Sequence, residues 1–148
     1  IMTEATFLAS GNTMIEAVNF TAELSNKILL NLDDVAQAER IDIFCNDIGD
    51  AEKLDEVLWA KPKYSIISHS LVDKGQDDLI RIGYPGTKFN LLSDCLINLS
   101  PDLPKNLDTY KYYLQLVIMD GGDLRARAAD TWSKCKELGL STKFIEAT

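Results

Sequence analysis

The sequence predicts a three-layer α/β domain built on a mainly parallel central sheet. Three observations lead there. Short apolar runs with strand-like character alternate with stripes at helical spacing, at the front and again at the back of the chain. Alternation of that kind lays helices on the faces of a parallel sheet. The chain has 148 residues, 46% of them hydrophobic, which suits one domain with a core of its own.

Residues 4–10 (EATFLAS) read as a first strand. Gly11 and Asn12 turn the chain, and Thr13 with Glu16 three residues on forms a capping-box pattern. The helix that follows runs to about residue 30, with Ala17, Phe20, Leu24 and Ile28 on one face. Residues 40–45 (RIDIFC) alternate as a second strand. A helix from about residue 50 buries Ala51, Leu54 and Leu58, and Pro62 stops it. Residues 65–69, 79–83 and 95–99 are short apolar runs between Gly, Asp and Pro turns. Residues 112–119 form a longer strand, with Tyr113, Leu116 and Ile118 as its apolar members. Gly121, Gly122 and Asp123 open a last helix whose inner stripe is Leu124, Ala128, Thr131, Cys135 and Leu138, with Gly139 closing it. Residues 142–145 make a final strand.

No repeat or long linker divides the chain, so residues 2–148 are expected to form a single domain; Ile1 precedes Met2 and is expected to be a cloning remnant. Residues 1–12 lack a basic head and a long apolar body, so no secretory leader is expected. No apolar run approaches the roughly 18 residues of a membrane span. Cys45, Cys95 and Cys135 are far apart and without C-x-x-C spacing, which argues against a zinc ribbon or redox dithiol and for a reducing cytoplasm.

Charge is uneven. The net charge is -8, and residues 1–60 hold twelve acidic groups against three basic ones (Lys27, Arg40, Lys53). An acidic chain is a poor binder of duplex DNA, because that affinity comes from Lys and Arg releasing counterions. The second half is nearly balanced and can hold an acidic peptide at a local basic site.

Catalytic patterns are weak. The first strand–helix turn offers only Gly11, short of the glycines a dinucleotide site needs. Residues 83–88 (GYPGTK) lack phosphate-loop spacing and read as a turn. His69 is the lone histidine, and its neighbours Ser68 and Ser70 point to the opposite strand face, so a structural role is favoured. Asp50, Asp55 and Glu56 read as a solvated helix face. Two aromatic–basic groupings stand out. One runs from Trp59 through Lys61, Pro62, Lys63 and Tyr64 to Ile66, a composition that suits core packing or an interface anchor. The other is Arg125, Ala129, Trp132 and Lys136, at i, i+4, i+7 and i+11 along one face of the last helix. A tryptophan flanked by cations suits a ligand with both apolar groups and carboxylates.

Several segments carry a resemblance. Ala5-Thr6-Phe7, Leu54-Asp55-Glu56-Val57-Leu58-Trp59-Ala60-Lys61-Pro62, Ile66-Ile67-Ser68-His69, and Trp132 followed by Lys136-Glu137-Leu138-Gly139 occur in the order seen in chi subunits of the bacterial DNA polymerase III holoenzyme. The chain resembles that family from Ala5 to its end, most specifically in the L-D-E-x-L-W-x-[RK]-P segment. The resemblance implies a Rossmann-like, non-catalytic adaptor of the cytoplasmic replisome, with no cofactor and no metal. One surface would bind the psi subunit of the clamp-loader complex. Another would bind the acidic, apolar-ended C-terminal tail of single-stranded DNA-binding protein. Carried over by position, Trp59, Pro62, Tyr64 and Ile66 would hold psi, and Arg125, Trp132 and Lys136 would hold the tail. The family usually has an arginine where Ala129 stands, so the carboxylate clamp falls to Arg125, Arg127 or Lys136. A rival reading is a nucleotide-binding enzyme of Rossmann-like build, with its ligand near Gly11 and Asp47.

Overall fold

The computed structural model describes residues 3–60, 67–73 and 78–146. The described strands form one seven-stranded sheet in which every pairing is parallel. Chain order is β1 (Glu4–Ala9), α1 (Met14–Leu29), β2 (Ile41–Phe44), α2 (Ile48–Ala60), β3 (His69–Leu71), β4 (Ile80–Gly83), β5 (Cys95–Asn98), a 3-10 turn (Leu107–Thr109), β6 (Tyr112–Val117), α3 (Asp123–Glu137) and β7 (Ser141–Ile145). Across the sheet the order is β3-β4-β2-β5-β6-β1-β7. A three-layer α/β fold with a mainly parallel sheet is therefore the observed class.

The expected elements appear with modest shifts. In the third run the strand starts at His69 instead of ending there, and residues 65 and 66 lie outside the described residues. β6 stops at Val117, two residues early. Thr13 caps α1 by accepting from the Glu16 amide at 3.2 Å, and the Glu16 carboxylate reaches back to the Asn12 amide at 3.2 Å. Gly11 has φ +108°, and a Cβ there would stand 2.6 Å from Glu16 Cβ, so this turn demands glycine. Residues 84–87 form the expected turn: the Thr87 amide donates to the Tyr84 carbonyl at 3.0 Å, with Gly86 at φ +98°. Leu138 departs from the expected inner stripe. It lies one residue beyond the last helical turn, as the C-cap, and is 62% exposed.

Each face of the sheet carries its own apolar cluster. On one side Ile41, Ile43, Ile80, Ile82, Ile97 and Leu114 pack beneath α1 and α2. The other side is covered unevenly. There α3 lays Ala128 and Cys135 against Ala5, Phe7 and Tyr113. The rest of that face is roofed by the segments after β4 and β5, through Phe89, Leu103, Leu107 and Tyr110.

A buried polar network sits under that roof. Asp42 and Arg81 are opposite each other in the β2–β4 register, and both are fully buried. Arg81 donates to Asp42 at 2.8 Å and to Ser93 Oγ at 2.6 Å. Ser93 donates to Asp42 at 2.8 Å, and Tyr110 Oη donates to its second oxygen at 2.7 Å. Burial and the adjoining Asp42 carboxylate push the Tyr110 hydroxyl far above its ordinary range, which keeps it a donor. A second network ties β5 to β6: Asn98 donates to Gln115 at 3.0 Å, and Gln115 donates to the Ser100 carbonyl at 2.7 Å.

Removing one partner of a buried ion pair leaves an uncompensated charge in a dry site. Arg81→Leu is expected to lower unfolding free energy by about 3–5 kcal/mol. Urea denaturation of the variant checks this, and a loss below about 1 kcal/mol contradicts the assignment.

Candidate functional site

The face of α3 beside its buried stripe carries the residues singled out from sequence. Helical spacing brings Arg125, Ala129 and Trp132 to the rim of a cleft of about 260 Å³. Phe7, Val117, Met119, Ala128 and Phe144 complete its apolar lining, and Glu146 closes one side. Arg125 is exposed and Trp132 is half-buried, so a visiting side chain can reach both. The indole is held edge-on against Phe7, with ring centroids 5.0 Å apart and planes at 77°. Lys136 sits over the same indole, its Nζ 5.2 Å from the ring centroid. Lys136 is thus near Trp132 but is not among the residues that line the cleft.

The helix divides its cations by task. Arg127 donates to both oxygens of Asp102, and to Asp123 at 3.3 Å. Thr131 donates to the Pro101 carbonyl at 2.6 Å. These bonds fasten α3 to the segment after β5. Asp102 is held below the usual carboxylate range, first by the Arg127 hydrogen bond. Lys134 pairs with Asp130 at 3.0 Å. Arg125 forms no ion pair among the described residues, and it is the cation that faces the cleft.

Sequence reading missed Phe7, Val117, Met119, Phe144 and Glu146 as partners of this site. They come from β1, the end of β6 and the β7 region, and only the parallel register brings them together. Phe7 had the one usable signal, because it belongs to the apolar alternation of β1.

A second feature lies near the opposite edge of the sheet. Trp59, near the end of α2, is 61% exposed. Its indole packs against His69 of β3, with centroids 4.5 Å apart and planes tilted at 54°. The His69 side chain is enclosed: Nδ1 is 3.0 Å from the Ile67 carbonyl, and Nε2 is 3.8 Å from Asp55. The expected structural role for His69 agrees with this packing. Asp55 is half-buried against it, not fully solvated as expected, and burial raises its pKa while His69 opposes the rise. Pro62, Tyr64 and Ile66 lie outside the described residues.

The carboxyl end of a parallel sheet is where phosphates usually bind, on the free amides of helix N-termini. Here carboxylates take several amides at or beside those ends. Glu16 takes the Asn12 amide, Asp47 takes the Asp50 amide at 2.8 Å, and Asp120 takes those of Gly122, Leu124 and Arg125. Burial raises the Cys45 thiol, and Asp50 and Asp47 raise it further. These carboxylates oppose the nucleotide reading near Gly11 and Asp47. Among the described residues no group of three His, Cys, Asp or Glu side chains is placed to hold a metal ion. No described helix is long and apolar enough to cross a membrane.

Residues 2–143 match a family model described as DNA polymerase III chi subunit, HolC. The chain is also similar to DNA polymerase III subunit chi of Escherichia coli (strain K12), with 30% identity over 101 residues. That alignment covers 66% of this chain and 67% of the relative.

Backbone hydrogen bonds from Gly122, Arg125 and Leu124 hold the Asp120 carboxyl below its ordinary value, the Gly122 bond foremost. A carboxyl whose pKa falls on folding stabilises above its unfolded value, and the effect is lost as pH drops through the native one. Asp120→Ala should therefore lower the melting temperature at neutral pH, with the gap to the parent closing in strong acid. Melting curves at both pH values check this; a gap independent of pH rejects it.

Proposed function

This chain belongs to the DNA polymerase III chi-subunit family, and we propose that it works there as a non-catalytic adaptor with two docking sites. Family membership makes it an accessory subunit of the replicative polymerase. In the proposal one site takes the C-terminal tail of single-stranded DNA-binding protein, and the other takes the psi subunit of the clamp-loader complex. The adaptor then tethers the polymerase assembly to coated template in the cytoplasmic replisome.

The observation that carries the proposal is the cleft between α3 and the sheet, with aromatic walls from Phe7, Trp132 and Phe144 and, at its rim, Arg125, which has no ion pair among the described residues. A peptide end that joins an apolar side chain to a carboxylate has the matching chemistry. The side chain gains burial against Trp132 and Phe7, and the carboxylate gains a charge-assisted bond from Arg125. Lys136 steadies the indole and adds positive potential for acidic residues further back. Ala129, where the family usually has arginine, leaves Arg125 to act as the clamp. A short disordered peptide loses entropy on binding, so micromolar affinity is the expected range.

Support for the psi site is the exposed Trp59, a large aromatic held by His69 and ready to anchor a partner. Pro62, Tyr64 and Ile66 belong to the same proposal.

Calorimetry with a synthetic peptide ending in the tail sequence tests the first site. Arg125→Ala is expected to weaken binding about tenfold or more, the loss of a charge-assisted bond worth about 1.5–3 kcal/mol. Trp132→Ala is expected to remove measurable binding while the circular dichroism spectrum stays native. Unchanged affinity in both variants overturns the site. Trp59→Ala is expected to weaken capture of psi about thirtyfold, at roughly 2 kcal/mol for an anchor residue, and to leave tail binding intact. Equal capture of psi by parent and variant defeats the second site.

A further inference from the structure

Glu146 is an anion in a cleft otherwise suited to an anionic ligand. It lies on the β7 side, and Arg125 lies on α3. Both are exposed, and no ion pair joins them. Between them run the apolar walls of Phe7, Val117, Met119, Trp132 and Phe144. Both line one cleft of about 260 Å³, so a carboxylate seated at Arg125 shares that space with Glu146. The two charges pull a peptide end in opposite senses.

From this we infer that Glu146 is a specificity-determining residue that sets the direction in which an acidic peptide leaves the cleft. The inference rests on the tail-binding reading above. With the terminal carboxylate at Arg125 and the apolar side chain between Phe7 and Trp132, the preceding residues have two exits. One passes over β7, beside Glu146. The other passes over the exposed face of α3, past Ala129 toward Lys136. Like charges raise the energy of the first path, and opposite charges lower that of the second. The small side chain of Ala129 leaves the second path open. Glu146 thus discriminates against ligands whose acidic residues must lie along β7, and it limits the affinity of any ligand that brings a negative charge into the cleft.

The test is a double-mutant cycle read by calorimetry. The probes are two synthetic peptides with the same leucine carboxyl end, one with aspartates in its body and one with asparagines at those positions. Glu146→Gln is expected to tighten the aspartate peptide about threefold in low salt, as expected for one like charge at a partly solvated site. The gain should be smaller for the asparagine peptide and should vanish in high salt. Lys136→Gln should weaken the aspartate peptide more than the asparagine one. Equal effects of Glu146→Gln on both peptides, or none on either, overturn the inference while leaving the tail site in place. Failure of the parent protein to bind either peptide, or unchanged binding by Trp132→Ala, sinks the tail-site reading instead. Glu146 is exposed near the end of the chain, so the variant is expected to fold as the parent does.

Discussion

The buried pair of Asp42 and Arg81 fixes both the register of the sheet and the course of the roof above it. It joins directly opposed residues of β2 and β4, so a one-residue slip of either strand would strand two charges in a dry interior. It also needs a roof. Tyr110 and Ser93 complete the bonds to Asp42, and they bring the segments after β4 and β5 down onto that half of the sheet. The remaining half is left to α3. A single helix cannot cover three strands to their ends, and the cleft lies in the gap it leaves beside β1, β6 and β7. The position of the candidate cleft is thus a consequence of where the polar network lies.

Strand and helix identities were legible because the local signals agreed with the global fold. Thr13, Glu16 and Gly11 act together at the start of α1, and Pro85 with Gly86 makes the turn expected of them. What misled was local too. Leu138 continues the helical period of α3, yet the helix ends before it and the side chain swings to solvent. Asp55 looked like one more surface acid, and only the stacking of β3 beside α2 turns it toward His69. All-parallel pairing was not readable either, because the runs at 79–83 and 95–99 have no helix between them. The Asn98–Gln115 bonds and the irregular roof replace the covering helix that parallel strands usually have.

The candidate site was half legible. Arg125, Trp132 and Lys136 share a helix, and periodicity alone brings them to one face. Of the opposing wall, Phe7 is more than a hundred positions away in the chain while Val117, Met119, Phe144 and Glu146 flank α3 in sequence, and a parallel register is what makes them neighbours. Pairing and position together divide the cations, and Lys136 lies over the Trp132 indole outside the cleft lining. Arg127 is spent on Asp102 and Asp123, Lys134 on Asp130, and Arg125 is left facing the cleft. The same reasoning bears on the nucleotide reading. Carboxylates of Glu16, Asp47 and Asp120 take amides at or beside its helix N-termini, so the rim that would cradle a phosphate carries negative charge instead.

Trp59 rests on β3, an outermost strand, while Trp132 rests on β1 near the other margin. Five strand spacings separate β3 from β1, or about 24 Å at the usual inter-strand distance. A hydrogen-bonded sheet is stiff along that direction. Two molecules gripped by these tryptophans would therefore be kept at a set stand-off, like loads at the ends of a strut. Pull on one would reach the other through backbone hydrogen bonds, with little slack contributed by the connector itself.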